Sequence, residues 1–188
     1  MSEETTLYER TALISEIAKR QPGIGRTALM KYLYLLQTVK DIDLGYRFDL
    51  YSYGPFDSTV LSDITTAVSW GGAKQTVCHY PSGIGYELSE GESAEQVLST
   101  SRVFLKEVSP AIDWAVSHFR GCGAGEMELL ATMVYVDQEA FAVQESITPA
   151  QLIKRALEIK PRYGEDFARA KLTKLFDAGA LSATLDLQ

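Results

Sequence analysis

The sequence predicts an α+β fold, mostly helical, on three observations. Apolar residues recur at helical spacing through most of the chain. One stretch, Lys74 to Leu88, instead carries strand formers on either side of the turn residues Pro81-Ser-Gly83-Ile-Gly85. After Gly91 the strand signals stop and helical spacing alone continues. The 188 residues therefore divide into a mixed unit, 1–90, and a helical unit, 91–188, that packs on it.

Residues 1–6 are expected to fray. Leu13, Ile14 and Ile17 place an amphipathic helix over Leu7 to Arg20, and Gln21-Pro22-Gly23 stops it. The next helix starts near Gly25-Arg26-Thr27, with Thr27 as its candidate N-cap. From Ala28 to Leu36 its only charge is Lys31, so it is apolar on nearly every side and belongs inside a core. Asp41 to Gly45 is a turn. Tyr46 to Tyr53 is rich in strand formers and is broken by Gly54-Pro55. Asp57-Ser58 opens a helix over Thr59 to Trp70, with Val60, Leu61, Ile64, Ala67 and Val68 facing inward. The hairpin follows. The order helix, helix, extended segment, helix, hairpin is that of a winged helix.

In the second unit, helical spacing runs from about 94 to 119, carried by Val97, Phe104, Val108, Ile112 and Phe119. Ser109-Pro110 either restarts or kinks that helix. Glu126 to Asp137 is helical. Thr148-Pro-Ala-Gln151 is a capping box with Pro at the first helical position, and Lys160-Pro161 ends the helix it starts. Glu165 to Ala178 is the last helix, burying Phe167, Ala170, Leu175 and Phe176.

Hydrophobic residues make up 46% of the chain and charged residues 23%, the balance of a soluble globular protein. The net charge of -7 argues against broad attraction to nucleic acid or anionic membranes. Two stretches run against that sum. Arg10 to Lys40 holds six basic residues and one acid, Glu16, and Lys154 to Lys174 holds seven basic residues against three acids. Either they make an electropositive face or they are ordinary solvated helix faces. The polar, acidic start and the lack of a long apolar run give an expectation of a cytoplasmic chain with no membrane span. Two cysteines, Cys78 and Cys122, make no disulfide scaffold.

Certain short runs carry a resemblance. Leu29-Met-Lys31-Tyr-Leu-Tyr34-Leu-Leu-Gln, then Tyr46-Arg-Phe48, then Tyr53-Gly54-Pro55-Phe56 before a helix and a hairpin, resemble the SocA-like Panacea antitoxin group and its winged-helix relatives. Glu128-Leu-Leu-Ala131-Thr-Met-Val-Tyr135 and Glu158-Ile-Lys160-Pro161 look like the C-terminal helices of those relatives. The chain departs in Lys31-Tyr-Leu-Tyr34, with Tyr where the commoner pattern has Leu, and at Leu35-Leu36-Gln37, which places it nearer the relatives than the antitoxins themselves. The resemblance implies a non-catalytic, bacterial or phage-associated regulator that works through protein contacts, with a toxin encoded beside it as the candidate partner, and it implies no catalytic residue.

The residues themselves offer little chemistry. The two histidines, His79 and His118, lack a nucleophile partner in sequence. Cys78 and His79 are adjacent and point to opposite faces of a strand, whereas His118 and Cys122 could meet at a helix end. Gly121-x-Gly123-x-Gly125 follows a helix and lacks the phosphate-loop lysine, so it reads as an interhelical loop. Asp41/Asp43 and Glu126/Glu128 read as turn and helix-start acids. No cofactor or metal is expected. For nucleic acid, the helix in the reading position, Thr59 to Trp70, has no basic residue and carries Asp63, so DNA would fall to Lys19, Arg20, Arg26 and Lys74, or to the Lys154 to Lys174 segment. For protein, Tyr51 and Tyr53 are candidates for a contact surface. Core packing around the central helix competes for Tyr46 and Tyr53. A protein partner is the leading expectation, and a DNA-binding transcriptional regulator is the alternative.

Overall fold

The computed structural model describes residues 5–80 and 83–184. The chain is α+β, with eight helices and five short strands among the described residues. Of the predicted 1–6 fray, residues 1–4 lie outside that range, but Thr5 and Thr6 are held. The buried Thr5 hydroxyl donates to the Asp43 carbonyl, and Thr6 caps α1 (Leu7–Arg20) by accepting from the Glu9 amide at 3.3 Å while Glu9 accepts from the Thr6 amide at 2.8 Å.

Strand β1 (Ile24–Gly25) runs directly into α2 (Arg26–Val39). It is too short to leave a periodicity. Because Gly25 is still extended, it is the N-cap of α2, not Thr27. Every residue from Ala28 to Leu36 is buried, Lys31 included. Leu29, Leu33, Leu35 and Leu36 are fully buried, each worth about 1.5–3 kcal/mol of apolar transfer. The extended stretch predicted from Tyr46 to Tyr53 is a tight two-stranded hairpin, β2 (Asp49–Tyr51) and β3 (Gly54–Phe56). Gly54-Pro55 does not break the strand structure; it is the second strand. Gly54 is required there twice over. Its φ is +81°, and an added Cβ would sit 3.3 Å from the Glu128 carbonyl oxygen on the facing helix.

Asp57 caps α3 (Ser58–Ser69), accepting from the Thr59 amide at 2.7 Å. Val60, Ile64 and Ala67 form its inner face, but Leu61 turns outward at 36% exposure. β4 (Ala73–Tyr80) and β5 (Gly83–Glu90) make the predicted hairpin; the Pro81-Ser82 part of its predicted turn lies outside the described residues. With β1 they form an antiparallel sheet of order β1-β5-β4.

The helical half differs from expectation in one break. α4 (Ala94–Ser99) ends before Thr100-Ser101, and α5 (Arg102–Phe119) continues unbroken through Pro110. Burial of Ile112, Ala115 and Phe119 outweighs the one amide that proline removes from the ladder. α6 (Ala124–Ala142) is longer than predicted and buried along most of its length. α7 (Pro149–Ile159) starts at the expected capping box. Thr148→Ala should cost about 1 kcal/mol in a urea melt, since its hydroxyl accepts from the Gln151 amide at 3.3 Å. α8 (Glu165–Asp177) buries Ala168, Leu172 and Leu175; Ala170 and Phe167 are exposed and Phe176 is half-buried, so its inner face is turned from the predicted one. α2 packs against α5, α6 and β3, and one continuous apolar core runs from Leu13 to Ala183. No helix among the described residues is long and apolar enough to cross a membrane.

Candidate functional site

The two basic stretches are engaged within the fold. In the first, Arg10 pairs with Asp63 at 2.7 Å, and Asp63 also accepts from the Tyr46 hydroxyl at 2.8 Å. Burial, with Asp63 adding to it, pushes that hydroxyl's pKa up. Lys19 pairs with Glu90 at 2.8 Å. Arg20 pairs with Glu16 and Asp113, both at 2.6 Å, and donates to Ser109 at 3.0 Å. Lys40 lies 4.1 Å over the Trp114 ring. In the second stretch, Arg155, Lys160, Arg162, Arg169 and Lys171 each pair with a glutamate, and Lys174 donates to the His118 carbonyl at 2.9 Å. Of the four residues predicted for nucleic acid, Lys19 and Arg20 are thus neutralised. Arg26 stacks 4.3 Å over the Tyr86 ring, and Lys74 is exposed at the base of β4.

A buried charged knot holds the β2–β3 hairpin. Lys31 of α2 donates to the Pro55 carbonyl at 2.5 Å. Lys160, at the end of α7, donates to the Ser52 and Tyr51 carbonyls at 2.5 and 3.1 Å. Glu128 of α6 supplies the carboxylate between them. It lies 3.3 Å from the Lys160 ammonium, out of line for a hydrogen bond, and it accepts from Arg162 through its other oxygen. Glu128 is 1% exposed, so it is a buried counter-ion and not the helix-start acid that its spacing suggested. Glu126 does take that role, accepting from the Gly123 amide at 3.2 Å. Burial pulls the Lys31 pKa down to about 8, against the attraction of Glu128 and with the repulsion of Lys160.

The knot presents the hairpin tip outward. Tyr51 and Tyr53 are 59% and 63% exposed, so Tyr53 is a surface residue where a core position competed, and Tyr46 alone is buried. Arg162 lies 5.8 Å from the Tyr53 ring centre and 5.0 Å from that of Tyr163, which stacks on Phe167 at 5.6 Å. An aromatic and cationic strip therefore runs from the hairpin tip to α8.

Tyr53 also lines a cleft of about 970 Å³ between the first turn of α2, the β4–β5 hairpin and the α5–α6 loop. Its walls include Met30, Phe56, Leu61, Ile84 and Tyr86, with Arg26, Arg120 and Glu87 as the charged side chains that reach it besides Lys31. Glu87 accepts from the Tyr80 hydroxyl. Volume and lining match those of a ligand or peptide groove, apolar with a few placed polar groups.

His118 and Cys122 make no reactive pair. The His118 Nδ1 is 2.8 Å from the Trp114 carbonyl oxygen, and burial raises the Cys122 thiol, which makes it a poorer nucleophile. Cys78 is raised as well, by burial and by Glu87. Of the Gly121–Gly125 run, Gly121 to Gly123 form the expected interhelical loop, with Gly123 as the cap of α6; Gly125 lies in the first turn of that helix, its carbonyl accepting from the Tyr163 hydroxyl at 3.0 Å. Sequence reasoning did not find Glu128, Lys160, Arg120 or Ile84 as site residues. The only signal for the knot was Lys31, a lone charge in an otherwise apolar helix.

No family model matches this sequence, and no curated protein matches it either.

Proposed function

We propose that this chain is a non-enzymatic regulatory protein that works through protein contacts, built on a winged-helix unit and antitoxin-like in its mode of action. The winged-helix assignment is supported by the element order and by the sheet order β1-β5-β4, in which a two-residue strand before α2 joins the hairpin that follows α3. The resemblance in the Lys31-Tyr-Leu-Tyr34 and Tyr53-Gly54-Pro55 runs supports the antitoxin-like reading and makes a toxin the kind of partner to test first.

The observation that carries the reading is where the cations go. Most of the basic side chains of the two rich stretches are spent on internal ion pairs. The outward side chains of α3 are Ser58, Thr59, Leu61, Ser62, Thr65 and Ser69, none of them able to neutralise a phosphate. The exposed features are instead aromatic and apolar, as at a protein interface: Tyr51, Tyr53, Val77, Tyr80 and Ile84.

A salt series with duplex DNA tests this. The expected result is weak binding at physiological salt with a shallow slope. Tight binding that falls steeply with salt, and is lost on Arg26→Ala combined with Arg20→Ala, would favour the transcriptional-regulator alternative and sink the proposal. Co-purification with the product of a neighbouring gene, in the absence of DNA, is the expected positive arm.

A further inference from the structure

The cleft borders an unfinished sheet edge. β4 pairs with all eight residues of β5, from Gly83 to Glu90. On its other side β5 is paired with a strand, among the described residues, only at Leu88 and Glu87, where β1 meets it. β1 then ends, because the chain turns into α2 at Arg26. The Gly23 amide donates to the Leu88 carbonyl at 2.8 Å, so the main-chain groups of Leu88 point toward β1. In an antiparallel pair that direction alternates, and the groups of Tyr86 and Ile84 therefore point the same way; the Tyr86 carbonyl lies against the end of β1, 3.9 Å from where a Cβ on Gly25 would sit, which leaves the Tyr86 amide and both main-chain groups of Ile84 open. Among the described residues no strand pairs with this edge from Gly83 to Tyr86. Such an edge is a template for another strand unless it is covered or guarded by charge. Here it is neither. It faces the cleft, and its residues there, Ile84 and Tyr86, are 64% and 39% exposed. The outer edge of β4 is different: it carries Lys74 at its base, and only Tyr80 of that strand reaches the cleft.

The free charge of the cleft is positive. Arg26 makes no ion pair among the described residues, and its Nε is buried without a hydrogen-bond partner. Arg120 spends one nitrogen on the Arg20 carbonyl at 2.9 Å and has no carboxylate partner among the described residues. The cap of α2, Gly25, provides no side chain to its first turn, and the N-terminal end of that 14-residue helix lines the same cleft. Glu87, the acid present, is held by Tyr80. In a chain of net charge -7, this combination selects for a carboxylate.

We propose that the cleft binds an extended, acidic segment of a partner protein by strand addition to β5 at Ile84 and Tyr86. Main-chain hydrogen bonds to the open edge hold the segment. Alternate apolar side chains fall against Ile84, Tyr86 and Leu61, and one or more carboxylates meet Arg26 and Arg120. This deepens the protein-interaction reading and rests on it.

The test uses the full chain and a phage-displayed library of random short peptides. Selected peptides are synthesised and their affinities measured by anisotropy. Strand addition predicts that selected peptides are acidic and that N-methylation of alternate residues along one weakens binding by more than about tenfold, while methylation of the intervening residues does not. Ile84→Pro should weaken binding comparably. It deletes an amide that points at the open edge and leaves the β4–β5 ladder intact. Arg26→Ala with Arg120→Ala should remove the preference for acidic peptides. The N-methyl arm alters only the peptide, so it reads out even if a variant chain folds poorly. Selection of no peptide, a response to methylation without alternation, or affinities unchanged in both variants overturns the proposal. A partner that still co-purifies with Ile84→Pro would overturn strand addition and leave the protein-interaction reading standing. Steep, salt-dependent DNA binding would end that reading whatever the peptides show.

Discussion

Glu128→Ala should lower stability by about 3–5 kcal/mol, because it removes the one carboxylate from a site that keeps two buried ammonium groups. Arg162 is half exposed and can turn to water. Lys31 and Lys160 are 2% and 4% exposed and cannot do so without unpacking the hairpin they hold. A urea melt should show a lower midpoint at an unchanged slope. A loss below about 1 kcal/mol would mean that Glu128 is not their counter-ion. Lys31→Met, the contrasting variant, should stay within about 1 kcal/mol of the parent at neutral pH, since it removes a costly buried charge along with the Pro55 hydrogen bond. The pH dependence fixes the sign. Lys31 titrates at about 8 in the fold, below its ordinary 10.5. Between those values the unfolded chain holds a proton that the folded chain has released. Folding is therefore penalised in full below pH 8, and the penalty is relieved as the pH rises toward 10.5. The parent should gain stability relative to Lys31→Met across that window; parallel curves would exclude a depressed lysine.

Asp137→Ala should cost about 3 kcal/mol, expressed mainly at the end of the described chain. Its fully buried carboxylate accepts from the amides of Ser182, Ala183 and Thr184 at 2.7, 3.1 and 2.8 Å, and from the Thr184 hydroxyl at 2.6 Å. The same segment returns the Ala183 carbonyl to the Ile147 amide at 3.1 Å, before the cap of α7. Without the carboxylate, three main-chain donors lose their acceptor in a dry site, and the least costly response is for the segment to peel into water. Hydrogen exchange should show the three amides losing protection before the amides of α6. Retained protection in Asp137→Ala would show that another acceptor serves them. Asp137→Asn should fall between the parent and the alanine variant, because one acceptor oxygen survives.

Local signals read well from this sequence. Thr148 and Gln151 sit three residues apart and make their cap with no help from distant residues; Thr6 and Glu9 do the same, although residues 1–6 were expected to fray. The apolar circumference of α2 likewise announced its burial. Where long-range packing decides, the sequence was silent or misleading. Pro110 looked like a boundary because its lost amide is a local fact, while the burial that carries α5 through it is not. The inner face of α8 was drawn toward Phe167 by hydrophobicity, yet the close approach to neighbouring helices is made at Ala168. The basic clusters were misleading in the same way. Arg20 meets Asp113, 93 residues away, and Lys171 meets Glu126, 45 residues away, so charge along the chain did not report charge on the surface. The knot was hidden because Lys31 and Lys160 hold the hairpin by its carbonyls and not by its side chains. No residue type at 51, 52 or 55 could have disclosed it.

That last property has an evolutionary side. The β2–β3 hairpin is gripped by its spine: Lys160 takes the carbonyls of Tyr51 and Ser52, and Lys31 takes that of Pro55. Every amino acid carries the same carbonyl. The side chains at the tip can therefore be exchanged in the course of descent without loosening the grip, much as an interchangeable tool head is held by a fixed shank. Gly54, pinned by its φ and by the neighbouring α6 backbone, is the exception. A scaffold of this kind can change what it touches while its own fold stands still.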